Sequence, residues 1–367
     1  EREPLSVPDV RQCVLRALHG AQRVPDGVLS VTTAIEWTDE TWNPVTGCTK
    51  VSPGCKFCYA ERVADRFWLD QYPLVMDDQE YRMRHRRFTD VQIHADRLDK
   101  PLRWRGQPRR VFVNSMSDLF HEAVPDEFIG RVFGVMRGAS EHAFQILTKR
   151  PERMRQFVAW YGEGPWPCEE DRDRWPLPNV WLGVSAEDQE RADERIPLLL
   201  QTPAAVRFLS VEPLLGPVDL TKWLPFFFPF PGELRRLGEE RATQTNDDGS
   251  VLVQMTDGGI AVRPALNWVI VGGESGGSPE RALVERCETS VWANVHRANR
   301  DACEGCGGTG WSPKPEALAW VRALRDQCVG AGVPFFFKQW GGVTPKAGGC
   351  ILDGKVWHEF PDGPGRR

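Results

Sequence analysis

No apolar run in the 367 residues approaches the ~18 that a membrane-spanning helix requires. The most apolar short segment, LPFFFPFPG (224–232), is broken by prolines. The beginning of the sequence lacks the basic-then-apolar profile of a secretory signal. These absences argue against a membrane span and set a cytoplasmic location as the expectation. An overall basic charge is missing too: the formal net charge is −5, so bulk electrostatics does not advertise a polyanionic partner. Cysteine, in contrast, is abundant. Ten cysteines in a chain expected to be cytoplasmic favour metal binding or reactive thiols over disulfides.

Those cysteines fall into two groups. Cys48, Cys55 and Cys58 lie in TGCTKVSPGCKFCYAERVADRF with the spacing C-x6-C-x2-C. Three thiols are one short of the four that close a structural zinc site or an ordinary iron–sulfur cluster. The loop therefore either recruits a distant fourth ligand or leaves a coordination position open. Cys287, Cys303 and Cys306 form the second group, with CEGCGGTGW resembling a zinc knuckle. His296 or Cys168 would supply its fourth ligand. The alternatives there are a second iron–sulfur cluster or unliganded thiols. Cys13, Cys328 and Cys350 stand alone, as does Cys168 unless it serves as that ligand, and isolated cysteines read as small buried apolar residues.

Hydrophobic residues make up 41% and charged residues 26%, the balance of a soluble globular chain with a sizeable core. Residues 1–30 read as an N-terminal helical appendage with one amphipathic segment, PDVRQCVLRALHGA. A rhythm of short β-rich runs follows, separated by helix-like stretches: RVFVNS, FQILTKR, VWLGVS, VRFLSVE, NWVIVGGES and VPFFFKQW. A further strand is expected near TTAIEW. Alternation of apolar strands with helices predicts an α/β fold, with a partial or complete parallel (β/α) barrel spanning residues 31–360. Two stretches, 221–266 and 279–313, interrupt the rhythm and read as insertions. The first holds an expected hairpin in NDDGSVLVQMTDGG, and the second holds the cysteines that resemble a zinc knuckle.

Polar residues sit at the C-terminal ends of these strands: Asn114, Ser115 and Asp118; Lys149 and Arg150; Ser185 and Glu187; Glu212; Glu274; Lys338. In a parallel barrel those ends converge on one face, where active sites are built. Between Arg82 and Arg110, ten Lys/Arg stand against three Asp, interleaved with His85, Phe88 and Trp104. Arg84, Arg86, Arg87, Arg103 and Arg105 are accordingly candidate nucleic-acid contacts, with Lys149 and Arg150 as a further anion grip. The plainer alternative is a solvated basic surface.

CKFCYAERVADRF, preceded by an upstream cysteine, resembles the cluster loop of the radical S-adenosylmethionine superfamily. A closer resemblance is to the phage and bacterial three-Cys-motif proteins. It runs from about Ile35 to Phe360 through IEWTDETWNPVTGCTKVSPGCKFCYAER, VFVNSMSDLF, ILTKRPERM, VWLGVS, FLSVEPLLGP, WVIVGGESG and PFFFKQWGG. The resemblance implies a barrel of the radical S-adenosylmethionine type. Cys48, Cys55 and Cys58 would hold a [4Fe–4S] cluster whose fourth iron binds S-adenosylmethionine. Phe57 stands where the superfamily places an aromatic. The first gap departs from the superfamily's usual C-x3-C-x2-C, which leaves cofactor cleavage open, and a zinc site with a distant ligand is the other reading.

By the same resemblance, Phe57 and Tyr59 would line the adenine, and Gly272 and Gly273 would let the backbone approach the cofactor. Glu212 and Glu274 would accept hydrogen bonds from its ribose or amine. Asn114, Ser115 and Ser185 would contact cofactor or substrate. Tyr59, Asp118, Glu212 and Glu274 are the candidate catalytic groups. The chain is distantly similar to spore photoproduct lyase, so the expected activity is repair or modification of nucleic acid. The alternative is a non-catalytic iron–sulfur or zinc barrel that binds nucleic acid alongside a partner. Members of the family resemble proteins encoded beside a methyltransferase-like partner, for which LPFFFPF would be a contact.

Overall fold

The computed structural model describes residues 33, 35–71, 74–77, 82–164, 175–225, 241–245, 250–254, 260–276, 280–287, 310–344 and 347–361. The helical appendage expected over 1–30, Cys168, His296, Cys303, Cys306 and the LPFFFPF segment beyond Pro225 lie outside the described residues.

Seven parallel strands form the central sheet in sequence order. They are β1 (Glu40–Trp42), β2 (Arg110–Val113), β3 (Ala143–Thr148), β4 (Val180–Ser185), β5 (Val206–Val211), β6 (Trp268–Gly272) and β7 (Phe335–Gln339). Six of the seven expected strands stand where the β-rich runs place them. The first is shifted: it is ETW, not TTAIEW, and Trp37 just ahead of it is a buried plug at the base of the sheet. Alternation accounts for the two faces. Odd-even partners such as Val111, Val113, Phe144, Ile146, Leu182, Val184, Leu209, Val269 and Val271 point outward into the core under the helices. Phe112, Trp181, Phe208, Trp268 and Phe336 point the other way and pack with Trp37.

That second cluster reveals the curl. Phe112 on β2 and Trp268 on β6 are four strands apart, which in a flat sheet is roughly 19 Å. The Trp37 ring lies 4.6 Å from Phe112 and 6.3 Å from Trp268, centroid to centroid, so the two strands are drawn together around it. The sheet is a curled half-barrel. Among the described residues β1 and β7 do not pair, and the barrel stays open. Replacing Trp37 by alanine removes the ring on which β2, β5 and β6 converge. We expect a loss of about 3–5 kcal/mol in urea unfolding. A loss below about 1 kcal/mol would show that the plug does not hold the curl.

Helices cover the outer face: α2 (Asp126–Gly138), α3 (Pro151–Glu163), α4 (Gln189–Leu200) and α5 (Pro315–Gly330), whereas α1 (Tyr59–Gln71) packs Ala60, Ala64 and Trp68 against Phe88 in a separate cluster. Their apolar stripes have helical spacing, as in Phe128, Val132 and Val135 or Ala317, Val321, Leu324 and Cys328. Proline opens α3 and α5, where a missing N–H costs nothing. Asp188 caps α4 by accepting from the Arg191 N–H at 2.9 Å. Gly332, at φ +64°, ends the turn after α5. The 221–266 stretch contains a separate three-stranded antiparallel sheet, Arg241–Thr245, Ser250–Gln254 and Ile260–Pro264, one strand more than the expected hairpin. No helix among the described residues is long and apolar enough to cross a membrane.

Candidate functional site at the mouth of the half-barrel

The inward alternation that carries the aromatic plug continues upward into polar residues. Above Phe112 comes Asn114; above Trp181, Ser185; above Phe208, Ser210 and Glu212; above Trp268, Gly272 and Glu274; above Phe336, Lys338. One face of the sheet therefore has an aromatic base and a polar mouth. Across that mouth, Lys338 Nζ approaches Glu212 Oε1 at 2.9 Å and the Ser210 hydroxyl donates to Glu212 Oε2 at 3.1 Å.

The cysteine loop joins β1 to α1 and crosses this mouth. Cys48, Cys55 and Cys58 are all free thiols and half-buried. Cys48 is fixed by its backbone N–H to Phe88 O at 2.9 Å. Burial foremost, and then the Asp118 charge, pushes its thiol up to about 11 against the opposing pull of Arg150. Cys55 ends a one-turn 3-10 helix, and its sulfur lies 3.8 Å from the Ser52 hydroxyl. Cys58 leads into α1 and packs beside Ala60, Ala64, Trp68 and Phe88. Among the described residues no three His, Cys, Asp or Glu side chains already converge as a metal-holding group. The thiols share one loop and one rim, not a finished ligand shell.

Three groups of charged residues clasp that loop. Arg150 pairs with Asp118 at 3.3 Å and reaches Thr49 and Cys48. Glu187, fully buried, accepts from the Ser52 hydroxyl at 2.6 Å and faces Arg195 at 3.4 Å and Lys149 at 3.7 Å. A β-carbon on Gly54 would lie 2.3 Å from the Glu187 carboxylate, so glycine is what lets the loop approach. Arg281 pairs with Glu274 at 2.8 Å, donates to Pro53 O at 3.0 Å and covers the Phe57 ring at 5.1 Å. Glu187 and Lys338 stand among the strand-end polar residues of the sequence, without a binding role of their own. Arg195, inside α4, and Arg281, nine residues past β6, carry no signal in the sequence that separates a clasp from an exposed cation.

The other candidates divide. The Tyr59 hydroxyl donates to Ser115 O, and the residue is about half exposed. Desolvation first, then the Cys58 and Glu212 charges, raises its pKa. Asn114 is buried at φ +63°; its Oδ1 accepts from Val45 N at 3.2 Å, and its Nδ2 has no hydrogen-bond partner among the described residues. The Ser115 hydroxyl donates to Asn43 Oδ1 at 3.2 Å. Ser185 is buried, and its carbonyl accepts from Arg195 at 2.8 Å. Glu274 has one oxygen on Arg281 and one, Oε2, without a partner among the described residues; burial raises its pKa against Arg281, Arg62 and Lys56.

Asp118 is occupied by the protein itself. It accepts from Thr148 Oγ1 at 2.7 Å, from the Phe120 and Lys149 N–H groups at 3.0 Å each, and from Arg150 at 3.3 Å. That places it in the clasp and not in the open mouth. The space above the two glycines is also filled from within. A β-carbon at Gly272 would meet Glu212 Oε1 at 2.7 Å, and one at Gly273 would meet Trp340 O at 2.0 Å. Both glycines therefore answer to internal crowding.

The basic segment is only partly turned outward. Arg86 is buried, donates to Thr46 and Asp90 O, and stacks on Trp68 at 4.2 Å. Arg84 pairs with Asp90 at 2.6 Å and Arg103 with Asp99 at 3.0 Å. Arg87 and Arg105 are exposed. In the second cysteine group, Cys287 is buried and its N–H donates to Gly310 O at 3.1 Å.

Two segments of the chain, residues 32–303 and 301–361, match the model of a family described as "Protein of unknown function (DUF5131)". That covers most of the sequence, and the chain belongs to that family. No curated protein and no solved structure matches it.

Proposed function

We propose that this DUF5131 protein is an iron–sulfur enzyme of the radical S-adenosylmethionine type, with its site at the mouth of the half-barrel. The observation that carries the reading is the three-thiol loop lying across the polar end of a curled parallel sheet. The donor set fits: three unpaired thiols supply soft sulfur and leave one iron position open. Bound there, the cluster would supply the electron that cleaves the sulfonium of S-adenosylmethionine. Two buried polar atoms support a polar ligand in the mouth: Asn114 Nδ2 offers an unused donor and Glu274 Oε2 an unused acceptor. Glu212 and Lys338 would bind the ligand's charged ends, and the Tyr59 hydroxyl would restrict water at the rim.

Nucleic acid is the proposed substrate class. Lys56 on the loop, Arg66 on α1 and Arg87, next to the Phe88 whose carbonyl accepts from the Cys48 N–H, are exposed cations suited to a phosphate backbone. The test is electron paramagnetic resonance of anaerobically reconstituted, dithionite-reduced protein. A [4Fe–4S]⁺ signal that changes shape on adding S-adenosylmethionine is the expected result. An unchanged signal would instead favour a structural cluster in a nucleic-acid-binding barrel. Zinc in place of iron would remove the radical mechanism.

A further inference from the structure

Arg150 occupies an unusual position for a residue that the sequence offers as an anion grip. It stands two residues after β3, at the N-cap of α3, and its side chain is only 10% exposed. Every nitrogen of its guanidinium is engaged. Nε donates to Glu122 at 3.0 Å, Nη2 to Thr49 O and Oγ1 at 3.2 and 2.9 Å, and Nη1 to Asp118 at 3.3 Å and to Cys48 Sγ at 3.5 Å. Asp118 is itself held by three donors, so the guanidinium plane is fixed from behind. A charged fork fixed at four points has one N–H directed at a thiol 102 positions away in the sequence.

We infer that Arg150 is a positioning and charge-tuning residue for the Cys48 sulfur, an inference that rests on the cluster reading above. A guanidinium N–H directed at a ligating sulfur does two things. It holds the side chain of Cys48 on the side of the loop facing the mouth. It also offsets negative charge on the thiolate, and cluster potentials respond to net charge and to hydrogen bonds on sulfur. Cys55 has the neutral Ser52 hydroxyl 3.8 Å from its sulfur, and the Lys50 ammonium acts on Cys55 and Cys58 only through its charge. The three ligands would therefore be electronically unequal, with a cationic N–H directed at the Cys48 sulfur favouring the reduced state.

The experiment is an anaerobic potentiometric titration of the reconstituted full chain, with iron and sulfide measured on the same samples. Wild-type protein without iron would overturn the cluster reading itself, before Arg150 is in question. With iron present, Arg150→Gln is expected to keep wild-type iron content while its reduction equilibrium falls at least tenfold, ~59 mV for one electron. Arg150→Lys keeps the charge but not the fork, and a fall of about threefold is expected. If circular dichroism shows the Gln variant unfolded, the Lys variant decides. An unchanged potential at full iron content in the folded variants would overturn the assignment.

Discussion

Alanine in place of Cys55 is expected to abolish cluster assembly, leaving less than about a tenth of the wild-type iron after anaerobic reconstitution. The position makes this a clean test. Cys55 is half-buried at the end of a one-turn 3-10 helix and has no place in the apolar clusters, so its removal leaves the packing intact. Its backbone N–H keeps the bond to Ser52 O at 3.0 Å whatever the side chain. Loss of iron would therefore report loss of a ligand and not collapse of the loop. Cys58→Ala should lose iron to the same extent, with a small additional cost from contacts beside Trp68 and Phe88. Cys328→Ala is the matched control. That thiol is buried on the inner stripe of α5, where burial raises its pKa and keeps it protonated. Its variant should keep full iron content. Iron retained by Cys55→Ala would refute the assignment of this loop as the cluster site.

Sequence was most informative where periodicity and backbone need coincide. Runs such as VWLGVS and NWVIVGG are apolar on both faces because helices cover one side and an aromatic plug fills the other, so they read as buried parallel strands before any coordinates. Strand-end polar residues followed from the same logic, since the direction of a parallel strand fixes which end carries the site. What was not legible is which of those residues face outward into the mouth. Asp118, Gly272 and Gly273 resemble ligand-binding positions in a one-dimensional pattern, yet each is occupied by the protein's own atoms. The clasp escaped for the same reason. Glu187 meets Ser52 across 135 positions, and no local pattern encodes a contact at that separation. Charge runs mislead similarly. Arg86 and its neighbours form one basic stretch in the sequence, but Thr46 and the Trp68 ring hold Arg86 in the interior while Arg87 stays exposed.

Glu187→Ala is expected to cost about 3–5 kcal/mol in urea unfolding and to release the cysteine loop. The carboxylate has no exposed surface and faces two cations, Arg195 and Lys149. Removing it leaves Arg195, itself only 2% exposed, with a buried charge balanced by no carboxylate and a single bond, to Ser185 O, among the described residues. An uncompensated buried cation is costlier than the pair was beneficial, which is why the alanine variant suffers more than the pair's own net value. Glu187→Gln separates the two contributions. It preserves shape and can still accept from Ser52, so its loss should be about 1–3 kcal/mol and should arise from charge. The loop gives an independent readout. With the carboxylate gone, nothing fills the space against Gly54, and amide exchange across Ser52–Lys56 should accelerate in the alanine variant more than in the glutamine variant. Replacing Glu187 and Arg195 together by methionine should recover most of the stability, because an apolar pair leaves no stranded charge. It should not recover the loop, because methionine cannot accept from Ser52 as the carboxylate does. A Glu187→Ala variant within about 1 kcal/mol of wild type, with unchanged loop exchange, would show that the buried charge does not hold the cysteines in place.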